Sequence, residues 1–301
     1  MILSPSEVRM KGLEQIGVRR FPRTTASQEL LFRQHYGSSS ITLADMWCDL
    51  HETDLQDAKL TSDESTPYGF KMFLMAHFFL WTYPKNRGII QSRFHMNKNY
   101  CGGKHLWRWI KKFQAMKEEV IIWGDYLDDP DTEKYALTVD CTDLRNWEPA
   151  SHPFYNKDRQ EMSSKHKHAA KKFEIALAVF HQQIAFISGP YSGGTHDLKV
   201  FRKELKHRIM NGKLVIADRG YISSKLDEQM LCTPSWFDHP DVLNFKSRAR
   251  LRHETLNGRM HNYKTMRDTW RHGGKKLGIA FEAVAVIIQY QMDSGEELFS
   301  L

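Results

Sequence analysis

The chain of 301 residues has no long apolar run. Nowhere do about 18 apolar residues follow one another, which excludes a conventional membrane-spanning helix. The first twenty residues, MILSPSEVRMKGLEQIGVRR, are mixed and charged, without the apolar core of a signal peptide. We therefore expect a soluble, intracellular protein that has no membrane partner.

Cysteine is scarce as well, and the four cysteines lie far apart, at Cys48, Cys101, Cys141 and Cys232. None lies two to four residues from another, which excludes a zinc knuckle. Wide, irregular spacing is typical of free thiols in a reducing compartment. The sequence also has no internal repeat and no low-complexity tract.

Basic residues exceed acidic residues, 43 to 36, which gives a formal net charge of +7. The segment from Lys246 to Lys276 holds ten Lys and Arg, opposed only by Glu254 and Asp268. An element that faces the phosphates of a polyanion has this composition. A solvated helix face is the alternative interpretation.

The spacing of apolar residues changes along the chain. Residues from about 27 to 125 have helical spacing. The stretch from residue 86 to 123 is compatible with a helix-turn-helix whose second helix carries Lys104, Arg108, Lys111 and Lys112. An amphipathic helix that packs its tryptophans inward is the alternative. Within the helical half, the acidic and polar stretch 51–67 predicts a loop.

From Lys134 onward, FEIALAVF and QQIAFISGP predict a β-hairpin, residues 196–212 have helical spacing, and the basic stretch from Lys246 to about Trp270 predicts a long helix. This order of strands and helices predicts an α/β fold with a mixed sheet. We therefore divide the chain into a helical accessory region, 1–127, and an α/β domain, 128–301.

Three acidic residues stand out in the α/β part. Asp140 closes the strand-like run YALTV, Asp218 closes KLVIA, and Glu254 lies within the basic segment. A carboxylate at the end of a buried strand is costly unless something compensates its charge. Three convergent carboxylates suit Mg²⁺ or Mn²⁺, which are hard cations. Each residue also has a purely structural interpretation: Asp140 and Asp218 in turns, Glu254 in an ion pair with Arg250.

Several motifs in this half of the chain occur in the same order as in a known family. They are VDCTD around Asp140, the block SSKHKHAAKKFEIALAVFHQQIAFISGPYSGGTHDLKVFR, LVIADRGYI around Asp218, RARLRHETLNGRMHNYKTMRDTWRH around Glu254, and the tail from HGGKKLG. Together they resemble the DDE superfamily endonuclease domain of Harbinger-type and insertion-sequence transposases. Thirty-five residues separate Asp218 from Glu254, a gap that is typical of that family.

The resemblance implies a ribonuclease H-like core in which Asp140, Asp218 and Glu254 hold two divalent metal ions, Mg²⁺ or Mn²⁺, and cleave DNA. It further implies strand transfer, a homodimer on double-stranded DNA, a location in the nucleus, and in many relatives a separate DNA-binding partner protein. We interpret His196 and Asp197 as a helix-start cap or as a pair that supports the metal ligands. The predicted DNA-binding side chains are Arg250, Arg259, His261, Lys264, Lys171 and Lys172.

The sequence departs from the family pattern at three positions. Cys141 follows the first aspartate where glycine is usual, and its larger side chain is expected to press on the metal pocket. In the motif around the glutamate, Ser247 replaces a tyrosine and His261 replaces a lysine. Because histidine is fully charged only when protonated, contact with DNA phosphate would be weaker.

Two other functions therefore stay open beside an active transposase-type endonuclease. One is a domesticated DNA-binding or scaffold protein that retains the core for its shape. The other is a metal-dependent hydrolase of small phosphoesters, although the basic segment is longer than such a substrate requires.

Overall fold

The computed structural model describes residues 2–52, 67–96, 102–147, 162–163, 168–222 and 229–301. The chain forms two compact units. The helical unit comprises Met1–Val120, Met260–Asp268 and Ile279–Glu296, and the sheet unit comprises Ile121–Arg259, Thr269–Gly278 and Glu297–Leu301. The predicted boundary at residue 127 lies close to this division, but two C-terminal stretches belong to the helical unit.

Eleven α-helices lie within the described residues: α1 (Pro5–Gln15), α2 (Thr25–Tyr36), α3 (Ser40–Glu52), α4 (Pro67–Thr82), α5 (Arg87–Arg93), α6 (Gly102–Ala115), α7 (Lys117–Val120), α8 (Asp197–Phe201), α9 (Pro240–Asn262), α10 (Lys264–Arg267) and α11 (Gly274–Asp293). None of them is long and apolar enough to cross a membrane.

Local sequence signals set several helix ends in the helical unit. Ser4 and Glu7 form a capping box at the start of α1, where each side chain accepts a bond from the other's backbone amide. Helix α2 ends at Gly37, which has a φ of 78°. Glycine adopts this left-handed conformation without the steric cost of a Cβ atom.

The core of the helical unit is aromatic. Trp47 packs edge-on against Phe73 and stacks on Trp109, with ring centroids 5.1 and 5.9 Å apart. The C-terminal stretch joins this unit because α11 is tied to its helices. Tyr290 donates to Asp49 over 2.6 Å, and Gln291 donates to the Gly37 carbonyl over 2.9 Å. These long-range contacts carry no local sequence signal.

The sheet unit is built on five strands: β1 (Tyr135–Arg145), β2 (Ala170–Ala178), β3 (Ile184–Ser192), β4 (Leu214–Ile216) and β5 (Leu231–Cys232). Their order is β3-β2-β1-β4-β5. The first three strands form an antiparallel meander, β4 pairs parallel to β1, and β5 pairs parallel to β4. The predictions of a mixed sheet and of a β2–β3 hairpin are confirmed.

Both faces of this sheet are covered, because alternate residues of β1 point in opposite directions. Val139 belongs to the buried cluster that includes Phe201 and Tyr221. On the other face, Thr138 bonds to His253 of α9. Helix α9 is thereby held along β1, the strand that carries Asp140.

Two helices differ from the predicted extents. Helix α9 begins at Pro240, before the basic segment, and ends at Asn262, where Tyr263 turns extended with a ψ of 119°. The helical pattern from His196 to Gly212 forms only the short α8 and a 3₁₀ turn, Leu205–Arg208. The acidic stretch 51–67, expected to be a loop, lies mostly outside the described residues.

Candidate cation site at the sheet edge

Asp218 follows the carboxyl end of β4, and Asp140 lies beside that end on the neighbouring parallel strand β1. The prediction that Asp140 closes its strand is wrong, because pairing with β2 extends β1 to Arg145. Thr138 of β1 is in register with Ile216 of β4, and each aspartate follows its strand residue by two positions. The carboxyl ends of parallel strands are where ligands bind in open α/β sheets. The sheet therefore brings two of the three predicted acidic residues to one edge.

The carboxylate of Asp140 is held on both oxygens. Its Oδ1 accepts a bond from the Cys141 amide over 2.9 Å, and its Oδ2 accepts a bond from Asn257 Nδ2 over 2.9 Å. Asn257 lies on α9 and did not figure in the sequence interpretation. Its other side-chain atom, Oδ1, is buried and has no hydrogen-bond partner among the described residues.

Asp218 begins a tight turn at the same edge. Its Oδ1 accepts the Gly220 amide over 2.7 Å, as the turn interpretation expected. A Cβ atom at Gly220 would lie 2.9 Å from Asp218 Oδ1 and 3.3 Å from Asp197 Oδ2. Asp218 and Asp197 therefore border the same small space, which exists because residue 220 has no side chain.

Glu254 is placed differently from the two aspartates. Its side chain is 59% exposed, and its contact is with Arg250, 3.6 Å away and one helical turn earlier. Within the described part of the chain, no three His, Cys, Asp or Glu side chains are arranged to hold a metal ion. The assignment of Glu254 as a metal ligand stays a prediction.

Cys141 points away from Asp140, into the cluster on the opposite face of the sheet. The Tyr221 hydroxyl donates to its Sγ over 3.1 Å. Burial, together with the charges of Asp197 and Glu174, holds the pKa of this thiol well above its ordinary value. Because successive strand residues face opposite ways, Cys141 does not lie on the Asp140 side of β1. Its pressure on a metal pocket stays a prediction.

Lys172, a predicted DNA contact, is only 7% exposed. Its ammonium group is bonded to Asp197 and lies 3.5 Å from Asp143. These carboxylates raise its pKa although burial alone would lower it. Lys172 thus supports Asp197, while His196 occupies the cap position of α8 without a side-chain capping bond.

Glu174 is an acidic residue that the sequence interpretation missed, although FEIALAVF showed a single charge in an apolar run. It is fully buried, and neither carboxylate oxygen has a hydrogen-bond partner among the described residues. Burial, then the negative charges of Glu204 and Asp197, raise its pKa to about 8. At neutral pH this carboxyl group is mostly protonated.

Several arginines of the basic segment are used inside the protein. Arg252 is 3% exposed and donates to the carbonyls of Ala178, His181 and Phe299 over 2.7 to 3.1 Å. Arg248 and Arg259 donate to the carbonyls of Ser300 and Glu297 over 2.9 and 2.8 Å.

These bonds hold the C-terminal segment, residues 297–301. The basic segment, Lys246 to Lys276, is therefore not the uniformly phosphate-facing element that its composition suggested. Among the predicted DNA contacts, Lys264 is exposed, and His261, Lys171 and Arg259 are half-buried. Arg250 has 36% of its side chain exposed.

The candidate recognition helix, α6, packs its aromatic residues inward. Trp109 is 2% exposed, and Lys112, 4% exposed, lies with its Nζ 5.7 Å from the Trp109 ring centroid. The inward packing of Trp109 agrees with the amphipathic interpretation, while Lys104, Arg108 and Lys111 are exposed. The helix-turn-helix interpretation stays a prediction. Residues 97–101, before α6, and Lys165, His166 and Lys167 lie outside the described residues.

Comparison of the chain with protein-family models, with curated proteins and with solved structures finds no match in any of the three.

Proposed function

We propose that this chain is a transposase-derived DNA endonuclease with a ribonuclease H-like core, which cleaves phosphodiester bonds with two divalent cations, Mg²⁺ or Mn²⁺. The observation that carries the proposal is the placement of Asp140 and Asp218 on neighbouring parallel strands, each two residues after the paired Thr138 and Ile216. Glu254 is the third ligand that the transposase resemblance assigns.

The donor atoms at this edge suit a hard cation. Carboxylate and amide oxygens are the ligands that Mg²⁺ and Mn²⁺ take in proteins. The orphaned Oδ1 of Asn257, next to the Asp140 carboxylate, is such a donor, and burying it without a partner is costly. The site therefore fits the implied cations.

When bound, the cations supply Lewis-acid stabilisation of the charge that develops on the scissile phosphate. Residues of the chain itself hold the Asp140 and Asp218 carboxylates in position before a cation binds. Asn257 and the Cys141 amide fix the Asp140 carboxylate, and the Gly220 amide fixes Asp218. Preoriented donors require little rearrangement during the reaction.

Double-stranded DNA is the proposed substrate, and a second basic surface in the helical unit supports it. An open groove of about 540 Å³ is lined by residues that include Ile16, Gly17, Arg93 and His95. Arg93 lines the groove, and the sequence segments that include its lining residues, 16–23 and 85–96, hold six Lys and Arg and no acidic residue. Such a charge excess attracts phosphates. A homodimer on DNA, a separate DNA-binding partner protein and a nuclear location complete the proposal.

A nicking assay tests the proposed activity. Supercoiled plasmid is incubated with the full chain and Mn²⁺ or Mg²⁺, and nicked circles are quantified. We expect Asp140→Ala and Asp218→Asn to lose at least a hundredfold in rate, while Asp131→Asn, at an exposed loop, cleaves like the unmodified protein. Equal cleavage by all three variants would overturn the catalytic assignment.

A DNA-binding or scaffold protein with a weak or inactive site is the second candidate. The outward position of Glu254 and its pairing with Arg250 favour it. Calorimetric titration with Mn²⁺ separates the two functions. Binding that is lost in Asp218→Asn supports the endonuclease, whereas DNA binding by a chain that binds no Mn²⁺ supports the scaffold.

A further inference from the structure

We infer that Asn257, and not Glu254, is the residue of α9 that ligates a divalent cation at Asp140. The inference rests on the proposed function and changes one of its three ligands. It assigns a ligand set of two carboxylates and one amide oxygen.

The alignment of α9 with β1 carries the first step. His253 Nδ1 lies 2.8 Å from Thr138 Oγ1, and one helical turn later Asn257 meets Asp140. Four residues on the helix advance about 6 Å, and two residues on the strand advance about 6.7 Å. Successive contacts are therefore spaced almost equally along the helix and the strand. His253 and Asn257 lie on the side of α9 that faces β1.

Glu254 lies off that side. Each helical residue is rotated by about 100° from the one before, so Glu254 is about 80° from the direction midway between His253 and Asn257. Its exposure of 59% and its ion pair with Arg250 agree with this position. To ligate a cation at Asp140, the Glu254 side chain would have to break its ion pair with Arg250 and turn towards the sheet.

The unsatisfied oxygen of Asn257 carries the second step. A buried side-chain oxygen without a hydrogen-bond donor is uncommon in folded proteins, because no hydrogen bond offsets the free-energy cost of removing it from water. Asn257 Oδ1 has this property, and its amide group already bonds to the Asp140 carboxylate. A half-turn of the amide would place Oδ1, in exchange for Nδ2, against the Asp140 carboxylate, where a cation can bind between the two acceptor oxygens.

Calorimetric titration of the full chain with Mn²⁺ tests the inference without any catalytic readout. We expect Asn257→Ala to weaken the first binding step at least tenfold. Glu254→Gln, the matched change on the same helix, should stay within twofold of the unmodified protein. Asn257→Asp should bind Mn²⁺ more tightly, because it exchanges an amide for a carboxylate. Full binding by Asn257→Ala together with loss in Glu254→Gln would overturn the inference.

Two further measurements keep the outcome interpretable. Asp140→Asn and Asp218→Asn test the proposed function itself. If both variants bind Mn²⁺ normally, there is no cation site at Asp140 and Asp218. If both lose Mn²⁺ binding while Asn257→Ala binds normally, the site exists but Asn257 is not one of its ligands. Thermal melts report folding, and if Asn257→Ala does not fold, the nearly isosteric Asn257→Asp carries the test, with unchanged or weaker Mn²⁺ affinity counting against the inference.

Discussion

His253 and Thr138 form a buried hydrogen bond between α9 and β1, with 2.8 Å between Nδ1 and Oγ1. His253 is 2% exposed, and burial lowers its pKa to about 3, so the ring is neutral in the folded protein. The bond fixes the helix one turn before Asn257 reaches Asp140. The geometry of the candidate site therefore depends on a contact outside it.

Loss of this bond should destabilise the sheet unit. Thr138→Val keeps the shape of the side chain but leaves the ring nitrogen of His253 without its partner, and we expect a cost of about 1–2 kcal/mol in the free energy of unfolding. Urea denaturation measures it. Thr255→Val, whose hydroxyl bonds only to the Leu251 carbonyl of its own helix, should change stability by less than about 0.5 kcal/mol. Equal effects of the two substitutions would contradict the assigned role.

Glu174 should make stability fall as pH rises. Its pKa is about 8 in the folded protein and 4.5 ordinarily, so the folded state holds a proton that the unfolded state releases between these values. The stabilisation from the protonated carboxyl is complete below pH 4.5 and is lost as pH rises through 8. The total is on the order of 3–5 kcal/mol.

Glu174→Gln removes the proton exchange and should flatten this dependence. In urea denaturation at pH 5, 6.5 and 8, the free energy of unfolding of the variant should rise relative to that of the unmodified protein as pH rises. Glu133→Gln, at an exposed position, should show the same pH dependence of stability as the unmodified protein. A variant that loses stability equally at all three pH values would mean that Glu174 is ionised in the fold.

Gly220→Ala should damage cation binding more than folding. The new Cβ atom would lie 2.9 Å from Asp218 Oδ1 and 3.3 Å from Asp197 Oδ2, so a carboxylate must move. We expect Mn²⁺ affinity to fall at least tenfold by calorimetry. Gly258→Ala, on α9 with no atom within 4 Å of its Cβ, should bind normally and gain about 0.5–1 kcal/mol of stability. Normal Mn²⁺ binding by Gly220→Ala would show that this space is not part of a cation site.

Arg252 should act through stability and not through DNA contact. Its guanidinium bonds to three carbonyls, and Arg252→Lys cannot reproduce that planar geometry. We expect a loss of about 2–4 kcal/mol in the free energy of unfolding. Arg250→Lys, on the exposed side of α9, should leave stability within about 0.5 kcal/mol.

Anisotropy titrations with duplex DNA at several salt concentrations complete this test. The salt dependence of affinity for folded Arg252→Lys should match the unmodified protein, because no phosphate contact is lost. A shallower salt dependence would instead make Arg252 a DNA contact.

The sequence by itself determined the α/β class, the β2–β3 hairpin, the helix ends at Ser4 and Gly37, and the placement of Asp218 after a strand. These features follow from short-range patterns, such as apolar periodicity, caps and strand-ending carboxylates. Asp140, expected at a strand end, lies within β1 because β2 pairs with it as far as Arg145. The two aspartates lie on neighbouring parallel strands, an arrangement that the α/β alternation already favoured.

Only the tertiary structure decided which side of α9 faces β1 and what its arginines touch. Arg252 and Arg250 are alike in composition, yet Arg252 is buried among carbonyls, whereas 36% of the Arg250 side chain is exposed. The same rotation of the helix places Asn257, with no charge to mark it in the sequence, beside Asp140 and turns Glu254 outward. Contacts between residues more than a hundred positions apart depend on packing, and packing has no local signature in the chain.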